Sequence, residues 1–368
     1  MSKFFQVEML RAAHGDCLWV EYGTDHRTRR ILIDGGPIGT FDALWAKMQA
    51  LDPNRNTFEA VVLTHVDTDH VDGLIRLFAH RPDEWPFRTK DVWFNGWHHM
   101  KGNTLGGNQG EFFSALIMNR LGENRWNQAF GGNLIVVPEE GDLPEIKLAD
   151  GFTVTLLSPT PKKVEKMVTA WQKDVKSFDE GDLEAAWDAL AKQKKYLPDA
   201  TLLGSTPEID AALEKQAKPD SSAANGSSIA FLAEFAGMSM LFLGDAHADA
   251  VADSIERLIE QRGVEALAVD AVKIAHHGSK ANVDDRLLAL IESPNYLIST
   301  NGAQFQHPDE EAIKRIIAGS NHLNPTLHFN YRTDFNKIWD DHGLRVAMGY
   351  KTNYNESDAD PLVFRLEI

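Results

Sequence analysis

The segment from residue 60 to residue 70, AVVLTHVDTDH, constrains the fold of this chain more than any other. Its first part is a short apolar run, which is typical of a buried β-strand. Its second part holds four metal-competent side chains within six positions: His65, Asp67, Asp69 and His70. A strand that ends in such a cluster predicts a site at the edge of a buried sheet.

The spacing of these four side chains suits metal ions. Because side chains alternate along an extended strand, His65 and Asp67 are expected to point to the same side. Asp69 and His70 follow in the turn, where they can face a second point. Imidazole nitrogen and carboxylate oxygen together suit zinc, manganese or iron(II). The alternative is a polar turn in which Asp69 only begins the next helix, but two histidines and two aspartates at this spacing favour a metal site.

Two further strand ends supply the same chemistry. Asp245 ends the strand MLFLGD behind a glycine that lets the backbone come close, so its carboxylate is placed to bridge two metals. Alternatively, Asp245 is the N-cap of a helix over 247–261. His276 and His277 end the strand AVKIA, and at least one of them is expected to be a ligand. Adjacent histidines on a strand point opposite ways, so the other would support the site or contact substrate.

Two weaker signals complete the set of candidates. His98 and His99 follow the strand DVWFN, and either one of them is a ligand or the pair packs at the surface. His307 lies in STNGAQFQHP after a fifth strand, which is less specific on its own.

The order of elements indicates an α/β fold. Strand patterns at 4–10, 17–22 and 30–34, near 133–137 and in the second half alternate with amphipathic helical patterns such as 41–51. From 160 to 220 the chain shows three amphipathic stretches without candidate ligands. We therefore predict a single domain over 1–368, an α/β sandwich, with 160–220 as a helical insertion that caps the core or lines an entrance.

Composition narrows the possible partners and the location. The 54 acidic and 37 basic residues give a formal charge of −17, which repels nucleic acid and anionic membranes at long range. A small or single-stranded substrate is therefore favoured over a long duplex. Cys17 is the only cysteine, so neither an internal disulfide nor a disulfide-linked partner is expected. The sequence shows no signal-peptide pattern and no apolar run of about 18 residues, which predicts a cytoplasmic protein without a membrane partner.

The order of these motifs resembles the metallo-β-lactamase fold superfamily: HxDxDH, GD at a strand end, HHGS and then SxxG…HP. It is most similar to the branch that includes the hydrolase domain of ComEC/Rec2 DNA-uptake proteins. That branch shows a GDxxxI-like strand, an LIDGG turn and an N-x-S/T-S strand, matched here by 14–17, 32–36 and 225–228. The resemblance covers about residues 5–80 and 220–320. The transmembrane segments of the uptake proteins have no counterpart, so we expect no role in DNA import.

The resemblance implies an αββα sandwich with two divalent metal ions, zinc or manganese, at one edge of the paired sheets. His65, Asp67 and His99 would hold the first ion. Asp69, His70 and one of His276 and His277 would hold the second, with Asp245 shared. Most of the superfamily has histidine where Asp67 stands, and a carboxylate there makes the first site harder, which favours manganese beside zinc.

The residues predict hydrolysis by water, because they include no evident Ser–His or Cys–His nucleophile. Two divalent ions lower the pKa of a bridging water, and Asp69 would accept its proton. His307, or the member of the His276/His277 pair that is not a ligand, would stabilise or protonate the leaving group. Ser279 and Lys280 would contact substrate. Lys273 and Lys280 flank HHGS and would attract a phosphate locally, unless both are solvated surface lysines.

Three functions are compatible with this set. The favoured one is phosphodiester hydrolysis, of nucleic-acid ends and single strands or of a small cyclic or lipid phosphodiester. The second is hydrolysis of a carboxylic ester, lactone or thioester. The third is a metal-stabilised binding or regulatory module without turnover, against which the nearly complete ligand set counts. β-Lactam hydrolysis is not expected, because a shared fold does not determine the substrate.

Overall fold

The computed structural model describes residues 2–100, 108–174, 182–197, 220–357 and 359–368, with the backbone alone at 171–174 and 321. The strands of the described residues are β1 (Phe4–Met9), β2 (Leu18–Thr24), β3 (Arg27–Ile33), β4 (Thr57–Val62), β5 (Arg88–Thr89), β6 (Val92–Trp93), β7 (Glu145–Lys147), β8 (Thr153–Ser158), β9 (Ala230–Phe235), β10 (Met238–Phe242), β11 (Leu267–Ala268), β12 (Ala271–Lys273), β13 (Ile291–Glu292), β14 (Asn295–Ile298), β15 (Thr326–Phe329), β16 (Lys351–Tyr354) and β17 (Leu362–Glu367). The α-helices are α1 (Phe41–Gln49), α2 (Thr68–Ala79), α3 (Trp97–Met100), α4 (Asn108–Arg120), α5 (Pro161–Asp174), α6 (Leu183–Leu190), α7 (Ala223–Gly226), α8 (Ala248–Arg262), α9 (Asp285–Ala289), α10 (Glu310–Ser320) and α11 (His342–Met348).

Most of these strands form two sheets. The first has the order β17-β1-β2-β3-β4-β5, with β6 also paired to β4, and the second has the order β16-β15-β14-β12-β10-β9-β8-β7. Strands β3 and β4 are parallel, as are β10, β12, β14, β15 and β16. Parallel neighbours need long crossovers, and α1 and α8 lie in two of these connections. The carboxyl ends of the parallel strands are therefore where loops are free to carry functional side chains.

Alternating side chains divide the core into two clusters. Ile31 and Ile33 of β3 belong to the cluster shared with the second sheet, whereas Leu32 belongs to the cluster that includes α1, α2 and α4. Residues of α8 and α10, such as Ile255 and Ile313, pack with the second sheet. The period of two along each strand thus gives each sheet one face toward its partner and one toward helices. The predicted α/β fold of the αββα type is confirmed.

One predicted strand is wrong. Residues 133–137 form no strand, although Ile135 and Val137 are buried. The Ile135 amide donates to the side-chain oxygen of Asn95, and the Val137 amide donates to the carbonyl of Pro159. These isolated bonds replace a ladder, so the apolar residues are buried without strand pairing.

The described part of the 160–220 insertion packs into the core. Val164, Met167, Ala186, Leu190 and Tyr196 are buried in the same cluster as α2 and α4. The third predicted helical stretch, 208–216, lies outside the described residues. That residues 1–368 form one domain stays a prediction.

A buried polar contact fastens the insertion to α2. The Tyr196 hydroxyl and the Lys195 ammonium both donate to the carboxylate of Asp72. Arg76, one turn further along α2, donates to the carbonyls of Lys195 and Leu197. Burial raises the pKa of Asp72, so these donors are what favours its charged form. Because α2 also carries Asp69 and His70, the insertion supports the helix that bears two candidate ligands.

We predict that Tyr196→Phe lowers the free energy of unfolding by about 1–3 kcal/mol, because a buried carboxylate loses a hydrogen-bond donor. Urea unfolding at matched metal content measures the change. Lys192→Ala, at an exposed position of the same segment, is the control and should change stability by less than about 0.5 kcal/mol. Equal stability of wild type and Tyr196→Phe would show that the contact does not hold the insertion.

Candidate metal centre

Strand ends from both sheets bring the candidate ligands to one place. His65 follows β4, Asp245 follows β10, and His276 and His277 follow β12. Asp69 and His70 lie in the first turn of α2, directly after the β4 loop. The amide of Ile229, just before β9, donates to the carbonyl of Thr64 at 3.0 Å, which joins the two sheets beside these residues.

The carboxylate of Asp245 lies at the middle of four imidazoles. Its Oδ2 is 3.5 Å from Nε2 of His70, 3.7 Å from that of His65, 3.8 Å from that of His276 and 3.9 Å from that of His277. These distances exceed those of ordinary hydrogen bonds. The four nitrogens therefore face the same carboxylate across a gap. Asp245 is 3% exposed, so this gap is shielded from bulk water.

Several of these atoms are buried without any hydrogen-bond partner. They include Nε2 of His65, His70 and His277 and Oδ1 of Asp245. Buried polar atoms are normally paired, because an unsatisfied one costs free energy. Nitrogen lone pairs and carboxylate oxygens that converge in this way would all be satisfied by divalent cations. The residues present therefore fit the metal ions that the sequence pattern implies.

Among the residues that the structure describes, three sets of ligand atoms lie close enough to hold an ion. His65, His70 and Asp245 form one set, Asp69, His70 and His277 a second, and Asp16, Asp245 and His277 a third, with all atoms of a set within 4.8 Å of one another. Any two sets share one residue. The shared residues suit neighbouring ions, because a ligand common to two positions keeps them close together.

The other nitrogen of each imidazole is held by a hydrogen bond. Nδ1 of His70 lies 2.8 Å from Asp34 Oδ2, and Nδ1 of His277 lies 2.8 Å from the carbonyl of Ser299. His65 Nδ1 lies 3.0 Å from Thr64 Oγ1. His276 Nδ1 lies 2.9 Å from the side-chain oxygen of Asn282. Such partners orient metal-binding histidines and fix which nitrogen faces the ion.

Opposite charges dominate the electrostatics of the metal-free site. Burial alone would raise the pKa of Asp245, but His70, His276 and His277 hold it well below the usual range. Burial alone would lower the pKa of His70, but Asp245, Asp69 and Asp34 raise it well above 6.5. Burial would likewise lower the pKa of His276, but Asp245 and Asp220 help to raise it to about 10. Protons therefore occupy imidazoles that a metal ion would need.

The structure brings seven of the eight predicted ligands together. Asp67 Oδ2 lies 3.6 Å from His65 Nε2 at the exposed side of the cluster, and Asp69 Oδ2 lies 3.5 Å from His277 Nε2. Of these seven, Asp67 and His276 belong to none of the three ligand sets, and the eighth predicted ligand, His99, also belongs to none.

His99 packs instead against an aromatic ring. It lies on α3, which follows β6 where the sequence pattern suggested only a strand end, and its ring is 4.5 Å from that of Trp126 in an edge-on contact. Burial lowers its pKa to about 4. His98 pairs with Glu123 at 3.1 Å. The geometry gives no support to His99 as a ligand of the first ion.

The predicted catalytic and substrate-binding residues lie beside the cluster. The His307 ring is 5.4 Å from that of His276, and burial lowers its pKa to about 3. Ser279 is fully buried, and its hydroxyl accepts a hydrogen bond from the Ala281 amide within the turn. The Lys280 amide donates to Asp309 at 2.8 Å, and the residue is half-buried. Their roles stay predictions.

The environment of Lys273 differs from both environments that the sequence predicts for it. It was expected to attract phosphate or to lie in solvent, but its ammonium is buried and donates to Asp16 Oδ2 at 2.6 Å. Both side chains are 1% exposed. Asp16 itself belongs to the third ligand set, a role that the HGDC motif did not signal. Lys273 is therefore a counter-ion inside the protein and is not available to substrate.

Sequence reasoning also missed two carboxylates behind the histidines. Asp34 accepts hydrogen bonds from the amide and hydroxyl of Thr64 as well as contacting His70. Asp220 accepts from the side chains of Asn225 and Asn282 at 2.7 and 3.0 Å and lies 3.5 Å from His276 Nδ1. The LIDGG motif was a signal for Asp34, whereas no motif marked Asp220.

We predict that replacing both Asp69 and His70 with alanine removes bound transition metal, because each of the first two ligand sets then loses at least one member. Metal analysis of purified, untreated protein is the measurement. His98→Ala and His99→Ala are matched controls and should keep the metal. Unchanged metal content in the Asp69/His70 variant would exclude this centre.

We also predict that the apparent metal affinity rises with pH. In the metal-free protein the pKa values of His70 and His276 lie above 6.5, so these imidazoles carry protons at neutral pH. Metal binding must displace those protons, and raising the pH removes this competition. Titration calorimetry in buffers of different ionisation enthalpy should show proton release. An affinity that does not change with pH would contradict the protonated state.

Part of the chain is similar to a known protein family. Residues 11–161 match the family model described as the metallo-beta-lactamase superfamily. No curated protein matches the chain.

Solved structures resemble the chain only distantly. The metallo-beta-lactamase fold protein YhfI from Bacillus subtilis is 8% identical, with 99% of this chain and 100% of that chain covered and a TM-score of 0.44. A mutant of the CmlA beta-hydroxylase is 14% identical, with 99% and 54% covered and a TM-score of 0.38. A metallo-beta-lactamase with an HARLDQ motif from Cronobacter sakazakii is 12% identical, with 67% and 68% covered and a TM-score of 0.28. Residues 11–161 make up less than half of the 368-residue chain, so the family match shows a similarity of this part of the chain to the metallo-β-lactamase superfamily.

Proposed function

We propose that this protein is a metal-dependent phosphodiesterase that uses water as the nucleophile. The observation that carries the proposal is the convergence of four imidazole nitrogens on Asp245, with ligand sets that share His70, Asp245 and His277. Paired divalent ions, once bound, lower the pKa of a water and stabilise the attacking and leaving oxygens of an in-line displacement. The motif resemblance to the ComEC/Rec2 branch supports phosphodiesters as substrates. Zinc and manganese are the ions that the donor set suits.

The residues of this chain divide the remaining work. Asp69 is the carboxylate of the second ligand set and is 13% exposed. Burial would raise its pKa, but His70 and His277 outweigh that effect and lower it. Its ionised oxygens can hold and orient a water molecule beside the cluster. His307 stays neutral at pH 7 in the metal-free protein, because burial lowers its pKa. A neutral imidazole can donate a hydrogen bond to a leaving-group oxygen.

No helix among the described residues is long and apolar enough to cross a membrane. We propose a cytoplasmic enzyme that acts on a small or single-stranded phosphodiester. The formal charge of −17 supports a small or single-stranded substrate, since a long duplex requires many phosphate contacts.

We predict that Asp245→Asn lowers the rate on bis(p-nitrophenyl) phosphate by more than about 100-fold, because loss of a shared ligand should exceed the 10- to 100-fold effect of losing a residue that only supports a ligand. The amide keeps the shape of the side chain but removes the charge that all four imidazoles face. Asp253→Asn, an exposed carboxylate on α8, is the control and should retain wild-type activity. Near-normal activity of Asp245→Asn would reduce Asp245 to a structural residue.

A substrate panel separates this function from the alternatives. The metal-loaded protein should cleave bis(p-nitrophenyl) phosphate and leave p-nitrophenyl acetate, lactones and thioesters essentially intact. Turnover of the acyl substrates alone would identify an esterase, and turnover of none would identify a binding module. Either result would overturn the proposal.

We predict that kcat/KM on phosphodiesters depends only weakly on salt. Each phosphate contact adds close to one unit to the salt slope, and a site that holds the scissile phosphate and one neighbour makes few contacts. The test is a salt titration on a dinucleotide, a single strand and a duplex. A steep slope with strong preference for duplex would reveal a basic channel and contradict a small substrate.

A further inference from the structure

An exposed aromatic side chain lies at the rim of the metal centre. Phe305 is 41% exposed, and its ring is 6.0 Å from that of His307 and 6.4 Å from that of His276. It belongs to the loop between β14 and α10, which also contains His307. A large apolar ring in contact with solvent at this place offers a stacking surface to whatever enters the site.

The loop that carries Phe305 is held from both sides. The Gln306 amide donates to the carbonyl of Gly302 at 3.1 Å, and the Gly302 amide donates to Thr300 Oγ1 at 3.0 Å. Gly302 packs closely under Phe335, since a Cβ at 302 would lie 2.3 Å from that ring. The stacking surface is therefore positioned by the fold before a ligand arrives, which lowers the entropy cost of binding.

The same loop borders a polar cleft of about 690 Å³. The cations Arg11, Arg332 and Lys337 line this cleft together with the carboxylates Asp334 and Glu356. The lining carries one more positive than negative side chain, in a chain whose formal charge is −17.

The cations of the cleft can respond to an anion. Arg332 pairs with Asp340, and Lys337 pairs with Asp334, but all four side chains are substantially exposed. Exposed pairs of this kind contribute little net free energy, so a phosphate can compete for them. The guanidinium of Arg11 stacks over the Tyr331 ring at 3.9 Å, which fixes its position.

Hydrogen bonds connect the wall of the cleft to the metal centre. Asn301, which lines the cleft, donates its amide to the carbonyl of Ala13, whose own amide donates to the hydroxyl of Tyr331. Two residues before Asn301, the Ser299 carbonyl lies 2.8 Å from Nδ1 of His277. One layer of backbone therefore connects the wall of the cleft with a candidate ligand.

We propose that Phe305 and this cleft form a nucleotide subsite, in which a base stacks on Phe305 and a neighbouring phosphate binds Arg332 and Lys337. The inference rests on the proposed function and specifies its substrate class: ends of single-stranded nucleic acid or short oligonucleotides. Aromatic side chains bind bases of any sequence by stacking. Arginine and lysine bind phosphate through charge-assisted hydrogen bonds. A lipid phosphodiester carries no base for the stacking surface, and a cyclic mononucleotide carries no second phosphate for the cations of the cleft.

The first test compares two substrates with the same leaving group. Thymidine 5′-(p-nitrophenyl phosphate) carries a base and methyl p-nitrophenyl phosphate does not. Wild type should prefer the thymidine ester, and Phe305→Ala should lower kcat/KM for it by about fivefold or more, mainly through KM, as expected for a lost stacking contact. Phe305→Tyr should retain the preference for the thymidine ester. In Phe305→Ala, kcat/KM for the methyl ester should change much less than kcat/KM for the thymidine ester. Val346→Ala, at an exposed apolar position away from the site, is the control.

The second test measures binding without turnover. Metal-loaded protein should bind thymidine 3′,5′-bisphosphate more tightly than thymidine 5′-monophosphate by titration calorimetry. Arg332→Gln should abolish this difference, whereas Lys314→Gln, which removes an exposed lysine of α10, should preserve it. A difference that persists in Arg332→Gln would overturn the phosphate part of the subsite.

The two proposals fail in distinguishable ways. Hydrolysis of both esters with no preference for thymidine in wild type would overturn the subsite and leave the phosphodiesterase intact. Nucleotide binding that weakens in Phe305→Ala and Arg332→Gln, without hydrolysis of either ester, would support the subsite and overturn the proposed function.

Discussion

The structure depends on one buried negative charge. Asp245 is almost fully enclosed, and burying a lone carboxylate costs a great deal of free energy unless opposite charges or hydrogen bonds compensate it. Four imidazoles supply the compensation, and each reaches Asp245 only because the ends of β4, β10 and β12 meet at one edge of the paired sheets. In the metal-free site the pKa values of His70 and His276 are raised, which favours their charged forms beside Asp245, and a metal ion would replace those protons.

The residues that orient the candidate ligands come from distant parts of the chain. Asp34 follows β3, Ser299 follows β14, and each fixes a different histidine. The buried Asp16–Lys273 pair joins the β1–β2 loop to β12 and lies against the same cluster. Removing one member of such a pair leaves an uncompensated buried charge, which is strongly destabilising. Mutations behind the ligands should therefore affect stability and metal binding together.

Local patterns predicted the parts of the molecule that local chemistry determines. The HxDxDH segment and the alternation of apolar residues indicated the site and the sandwich, because strand period and ligand type can both be read within a few residues. Lys273 and Asp220 could not be assigned in this way, since their partners Asp16 and His276 are distant in sequence. The contact of His99 with Trp126, which follows α4, could not be predicted from local patterns either. The sequence could indicate a histidine after a strand but not which tertiary contact would occupy it.

The formal charge of the whole chain is a poor guide to the charge around its candidate metal centre. The Lys273 ammonium pairs with the buried Asp16 carboxylate, and Arg76 donates hydrogen bonds to carbonyls of the insertion. Neither cation is therefore available to contact a substrate. Arg11, Arg332 and Lys337 line the cleft whose wall shares a loop with Phe305. A substrate is therefore expected to meet positive charge only over a short span. That restriction follows from where the cations are held, and it favours a ligand one or two nucleotides long over an extended polyanion.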